Sequence, residues 1–299
     1  MLMKLRVRLS TILFAVAILF PTSAAKAVTV FMSSNSDDVN RYTPPGPVSN
    51  FAHLAFGTNP EGLAFDSFGN LFVAGGGDVS KITPGGTVSH FADLPFSAGG
   101  YGMAVDPSNN LYVADSFIGQ ISRITPGGVV STYATIPGPI DLTFDSTGNL
   151  YVVVSNAVKV IAPGGGAVST YATLTGHPNL YGLAFDTSGN LYVSDITSTT
   201  LLKIAPGGGS FTNFATTLSS GPKGLIFADG MLYAAQPNED KISTITLAGT
   251  ASTFGIGLNG PRYLAIQPST VPEPSTLLLA AFGLVALGYF TLRKRLCAN

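Results

Sequence analysis

GMAVDPSNNLYVADSFIGQISRITPGGVVSTYA, residues 102–134, contains four short apolar runs separated by three turn signals. Asp106-Pro107-Ser108-Asn109-Asn110 closes the first run, and Pro126-Gly127-Gly128 separates the third from the fourth. Runs of four to six residues rich in Val, Ile and Tyr, bounded by Gly, Pro and Asn, read as strands joined by tight turns. Four antiparallel strands in about forty residues form one small sheet.

The same pattern continues in both directions along the chain. Its first half recurs as Gly62-Leu63-Ala64-Phe65, Gly102-Met103-Ala104-Val105, Asp141-Leu142-Thr143-Phe144, Gly182-Leu183-Ala184-Phe185, Gly224-Leu225-Ile226-Phe227 and Tyr263-Leu264-Ala265-Ile266. A fixed period near forty residues is the signature of stacked units. The second half also occurs six times, starting at Asn70, Asn110, Asn149, Asn190, Met231 and, without its leading strand signal, Val28. The turn chemistry repeats as well. Asp66 to Asn70, Asp145 to Asn149 and Asp186 to Asn190 read Asp-x-x-Gly-Asn, with a residue tolerant of positive φ where a hairpin demands it. Pro84-Gly85, Pro126-Gly127, Pro163-Gly164 and Pro206-Gly207 fit a type II turn, Pro presetting φ and Gly accepting positive φ.

The order of the pieces predicts closure. The chain after residue 27 starts with strands two to four of a unit, Val28 to Ala52, and ends with a lone first strand, Gly260 to Gln267. Joined, they complete a sixth unit and leave no open edge. The expected fold is therefore all-β: a six-bladed β-propeller over residues 28–268, closed by its N- and C-terminal strands, followed by a C-terminal transmembrane helix. The repeat unit resembles NHL-type repeats and the regucalcin/gluconolactonase and virginiamycin B lyase propellers.

Both ends read as addresses. Residues 1–27 form a signal peptide: Lys4, Arg6 and Arg8 precede an apolar stretch from Thr11 to Phe20, and Ala25-Lys26-Ala27 is an A-x-A cleavage site. At the other end a linker, residues 269–276, carries Pro272-Glu273-Pro274. An apolar run follows over 277–292, and a basic tail, 293–299, opens with Arg293-Lys294-Arg295. Sixteen helical residues span about 24 Å, enough with flanking residues to cross a bilayer, and the basic cluster acts as a cytoplasmic stop. Motif, apolar helix and basic tail in this order resemble the PEP-CTERM sorting signal. That resemblance implies recognition by an exosortase, a membrane cysteine peptidase of Gram-negative bacteria that make exopolysaccharide. It also implies export, anchoring by the C-terminus and release to the cell surface or matrix.

Composition narrows the function classes. Of 299 residues only 10% are charged, against roughly a quarter in ordinary globular chains. Net charge is −1 and no basic stripe runs along the chain, which excludes a nucleic-acid binder. The single cysteine, Cys297, excludes an intrachain disulfide and a Cys-His zinc site.

Residues just before each first strand should ring the mouth of the central channel: Glu61, Tyr101, Ile140, Tyr181, Lys223 and Arg262. One acid, two bases and two aromatics offer hydrogen bonds and a stacking face to a small polar or sugar-like ligand. The same residues can instead fill the channel as an ion-paired plug, Glu61 against Lys223 or Arg262. The gluconolactonase resemblance implies a divalent metal held by a Glu before a Gly, with Asn and Asp from other blades. Glu61-Gly62 matches the first element, but Tyr101, Tyr181 and Lys223 stand at the other pre-glycine positions. The lyase resemblance implies channel histidines, whereas His53, His90 and His177 fall near outer strands or in loops. Asp115 and Asp195 end second strands; two such acids could ligate something, but the commoner role is to cap loops by accepting backbone N–H groups. No catalytic residue, metal ligand or cofactor is assigned. The expected function is a non-catalytic binding or structural protein of the surface or extracellular matrix, meeting exopolysaccharide or an envelope protein. The alternative is a metal-dependent lactonase- or lyase-like propeller with a degenerate site.

Overall fold

The computed structural model describes residues 27–267 except 35, 56, 58, 96–101 and 215–217. Within them, six four-stranded antiparallel sheets follow one another. Blade one comprises Leu63–Phe65, Leu71–Gly75, Asp78–Ile82 and Val88–Asp93. Blades two, three, four and five begin at Met103, Asp141, Leu180 and Leu225 and repeat the meander. Blade six is the seam: Leu264–Ile266 pairs antiparallel with Val30–Ser33, which pairs on to Asp38–Tyr42 and Ser49–His53. The closure read from the half-repeats is the closure observed.

Burial explains the pattern of each strand. Second strands such as Leu71–Gly75 and Leu111–Asp115 are buried throughout, because both of their faces pack on neighbouring blades. Outer strands such as Val88–Asp93 are mostly exposed or half-buried, with Ala92 the buried position. Six apolar clusters fill the six interfaces between blades. One joins Phe31, Val39 and Ala52 of blade six to Leu63, Leu71 and Val73 of blade one, so the ring is packed as well as hydrogen-bonded at its seam. Edge-to-face aromatic contacts recur there: Tyr112 meets Tyr133 of its own blade and Phe144 of the next, and Tyr151 meets Tyr171 and Phe185 in the same way.

Turns hold the meanders. Asp186 Oδ1 accepts the N–H groups of Ser188 and Asn190, while its Oδ2 accepts from Asn190 Nδ2 and the Tyr192 hydroxyl. Asp66, Asp106 and Asp145 build the same cage, and Asn109 takes the positive φ that Gly69, Gly148 and Gly189 take elsewhere. The Pro-Gly turns divide into two kinds. At Pro163-Gly164 and Pro206-Gly207 the second central residue has positive φ, as the type II expectation requires. At Pro84-Gly85 and Pro126-Gly127 it does not; Gly86 and Gly128, one residue on, are left-handed. With Gly86 N–H bonded to Thr83 O and Thr83 N–H to Thr87 O, this is a type I turn with a bulge at the last glycine. A second glycine available one place later lets the hairpin twist with its strands.

The glycines that open the first strands have another cause. A Cβ on Gly182 would lie 2.5 Å from Lys223 O, and one on Gly224 would lie 2.5 Å from Arg262 O. Inner strands of neighbouring blades touch backbone to backbone at the hub, and Gly224 N–H bonds Arg262 O at 2.8 Å.

The polypeptide enters and leaves on one face of the wheel. Val30 pairs with Ile266, and Gln267 lies beside Gly69 in the first turn of blade one. The residues preceding the first strands lie at the opposite end. Residues 1–26 and 268–299, with the signal peptide, Pro272-Glu273-Pro274, the apolar run and Arg293-Lys294-Arg295, lie outside the described residues. Among the described residues no helix is long and apolar enough to cross a membrane.

Candidate functional site

The mouth of the channel is built by the residues that lead into the inner strands. Glu61 Oε1 and Arg262 Nη1 form an ion pair at 2.6 Å across the boundary of blades one and six. The Lys223 ammonium sits 4.9 Å above the centre of the Tyr181 ring. Tyr181 in turn packs at 5.8 Å, tilted, on Tyr263. Tyr101 lies outside the described residues.

Ser33, at the end of the seam strand, orders the acidic side. Its hydroxyl donates to Glu61 O at 2.8 Å and accepts from Tyr263 N–H at 3.2 Å, while Arg262 N–H bonds Ser33 O. One serine thus fixes Glu61, Arg262 and Tyr263 relative to one another.

Two residues that close the floor were not picked out from the sequence. Asp141 and Tyr263 stand in the column where the other four repeats have glycine. That break in the column was the available signal. Blades three and six face each other across a six-bladed ring, and the Tyr263 hydroxyl reaches over to Ile140 O at 3.5 Å. Asp141 is buried at the hub, where Oδ2 accepts Leu183 N–H at 3.1 Å and Gly102 leaves room for its Cα and Oδ1. Beyond this floor the channel continues as a cavity of about 330 Å³, lined by the inner strands of the six blades, with Asp141 and Thr143 among its walls.

Burial dominates the electrostatics. Desolvation raises the Glu61 carboxyl above the usual carboxylate range, although Arg262 and Lys223 both pull it down. Burial, then the neighbouring Arg262, lowers the Lys223 ammonium despite Glu61. Asp141, with no cation beside it, is pushed up to about 7 by desolvation against two backbone hydrogen bonds. Burial also drives the Tyr263 hydroxyl well above its ordinary value.

This arrangement has one outlet for new hydrogen bonds. Among the described residues Glu61 Oε2 is buried without a partner, and Lys223 Nζ lies over the Tyr181 ring without a hydrogen-bond acceptor. A free acceptor and a free donor flank the same dish. Both neighbours of the Tyr181 ring are already in place, so no open stacking face of the expected kind is left there. A hard cation does not fit, since one Glu61 oxygen is held by Arg262 and two cations line the dish. Among the described residues no group of three or more His, Cys, Asp and Glu gathers in ligating geometry.

The other candidates are structural. Asp115 Oδ1 accepts Phe117 and Ile118 N–H, and Asp195 Oδ1 accepts Thr197 N–H, so both cap loops as expected. His53 and His90 end in exposed pairs with Asp38 and Asp93. His177, in the loop before blade four, bonds Asp195 at 2.8 Å.

Residues 270–295 match the PEP-CTERM protein-sorting motif, a signal of exported proteins that are sorted through a C-terminal anchor. No curated protein matches the chain. Among solved structures, a chain of the nidogen/laminin complex superposes with a TM-score of 0.72 at 17% identity, covering 82% of this chain and 100% of that one. Virginiamycin B lyase from Staphylococcus aureus superposes with a TM-score of 0.63 at 17% identity, covering 79% of this chain and 84% of the lyase. A protein of unknown function from Bacteroides caccae gives 0.64 at 14% identity, covering 81% and 100%. At such identities the likeness is one of fold, and a shared propeller carries no shared activity.

Proposed function

We propose that this chain is an exported β-propeller, processed by an exosortase, that serves as a non-catalytic binding protein of the cell surface or extracellular matrix, with the Glu61–Lys223–Arg262 dish as its ligand mouth. The observation that carries this reading is the unsatisfied pair across the dish. Glu61 Oε2 needs a donor and Lys223 Nζ an acceptor, and neither finds one among the described residues. A hydroxyl group serves both at once, accepting from the ammonium and donating to the carboxylate. Ligands dense in hydroxyls, such as an exopolysaccharide, supply such groups.

The position of the dish supports this reading. The chain leaves the wheel on the face opposite the mouth, and residues 268–276 reach at most about 30 Å when fully extended. Turning the mouth toward the membrane would require the tether to run out past four strands spaced about 4.8 Å apart and then down the depth of the wheel. That path uses up the tether, so an anchored wheel keeps its mouth outward.

A glycan array probed with residues 28–268, wild type and Lys223→Met, tests the proposal. Binding to polysaccharides that weakens in the variant supports it. Silence across the array removes the mouth as a polysaccharide site. A rise in melting temperature with Mg²⁺, Ca²⁺ or Mn²⁺ would favour the lactonase- or lyase-like alternative instead, by linkage of metal to the folded state.

A further inference from the structure

A second polar concavity lies away from the mouth, between blades two and three. It measures about 410 Å³, and its walls include Tyr112, Tyr133, Ser131, Thr132 and Arg123. We propose that this groove binds a carboxylate-bearing sugar, a uronate, with Arg123 as the group that receives the carboxylate. The proposal does not depend on the mouth.

Arg123 sits on the third strand of blade two, opposite Tyr112. Its Nε is buried without a hydrogen-bond partner among the described residues, and none of the ion pairs found there includes it. The acid in the same groove cannot serve it. Asp106 Oδ1 is taken by Ser108 and Asn110 N–H at 2.8 and 2.9 Å. Its Oδ2 is taken by Asn110 Nδ2 and the Tyr112 hydroxyl at 2.7 and 3.2 Å. With four donors already on Asp106, Arg123 lines the groove with its buried Nε left without an acceptor among the described residues.

Equivalent cations in other blades are engaged. Arg41 in blade six donates from Nε to Ser49 Oγ at 3.2 Å and lies 5.5 Å over the Phe51 ring. Lys81 and Lys203 lie over Phe72 and Tyr192. Ser131 holds the position of Ser49 but turns its hydroxyl to Arg123 O instead. The groove wall is also fixed: the Tyr133 hydroxyl donates to Ala162 O of blade three at 3.3 Å, and Gly165 leaves space beside that ring.

A guanidinium presents paired N–H groups in a plane, which a carboxylate meets with two oxygens at once. The surrounding Ser, Thr and Asn side chains suit ring hydroxyls. An uncharged sugar offers no such planar acceptor and leaves the arginine unpaired.

Calorimetric titration of the full chain in detergent micelles tests the site, with trigalacturonate as probe and neutral trigalactose and acetate as controls. The expected result is binding of trigalacturonate at least tenfold tighter than either control. Arg123→Gln should reduce it at least tenfold in a Lys223→Met background that disables the mouth. Arg123→Lys keeps the charge but loses the fork, and should still weaken binding severalfold, which preserves the test should the Gln variant fold poorly. Equal affinity for trigalactose, equal affinity for acetate, or undiminished binding in both Arg123 variants would overturn the proposal. Loss of binding in Lys223→Met alone would assign the acid sugar to the mouth and also overturn it.

Discussion

Replacing Asp141 by Asn should make the propeller more stable in mild alkali and remove much of its pH dependence. Asp141 is buried at the hub, with one Oδ2 bond to Leu183 N–H and no cation beside it. Burial moves its carboxyl from 3.8 to about 7. Below the lower value both folded and unfolded chains hold the proton. Between the two, only the folded chain does, so stability falls as pH rises through that window. Above the upper value the folded state carries a buried charge. Each tenfold change in proton affinity corresponds to about 1.4 kcal/mol, so the loss amounts to about 4 kcal/mol, a large share of the 5–15 kcal/mol typical of a domain. Asn keeps the acceptor for Leu183 and cannot ionise. Allowing about 1 kcal/mol for an imperfectly bonded amide, the variant should exceed wild type by about 3 kcal/mol at pH 8. Urea unfolding at steps from pH 4 to 8 reads this out, and with an m-value of about 3 kcal/mol per M the midpoint shifts by roughly 1 M. Glu61 titrates in the same sense, but it is common to both chains and cancels in the difference. Parallel profiles for wild type and Asp141→Asn would refute the reasoning.

Arg262→Met should strand the Glu61 carboxylate in its buried seat, costing about 3 kcal/mol at pH 8 and much less at pH 4, where Glu61 takes up a proton; thermal unfolding at the two values checks this. Asp186→Ala strips four donors of their acceptor and orphans the buried Tyr192 hydroxyl, a loss of about 2–3 kcal/mol, part of which Tyr192→Phe should restore in the double variant. Gly182→Ala places a methyl against Lys223 O and should lower stability by about 2 kcal/mol in calorimetry, because two backbones, not a side chain, would have to part.

The wheel was legible because its constraints are local. Hairpins need Gly, Asn and Pro at fixed offsets, and strands buried on both faces need unbroken apolar runs, so six copies announce themselves in composition and spacing. The seam was legible for the same reason: three strands of a blade at one end and a lone first strand at the other have only one way to pair. The turn type at Pro84 and Pro126 was not, since adjacent glycines leave two registers and strand twist selects between them. The site was legible in part. Glu61, Tyr181, Lys223 and Arg262 fall at the mouth because register alone puts them there. That Lys223 would cover Tyr181, and that Tyr263 would cross the hub to Ile140, depends on side chains from blades far apart in sequence. Arg123 escaped notice because its meaning lies in what Asp106 is already doing, a hydrogen-bond count visible only in three dimensions.

Closure of the wheel by its own two ends underlies the placement of mouth, tether and groove alike. Met32 and Leu264 face each other across the seam in antiparallel register, a pairing whose Cα separation of about 4.5–5.5 Å suits a disulfide. With Cys297→Ser as background, the double substitution Met32→Cys and Leu264→Cys measures the seam directly. Rapid oxidation to a monomeric, internally crosslinked chain with a raised melting temperature is the expected result. Thiols that stay free in the folded protein, or that link only between molecules, would contradict it.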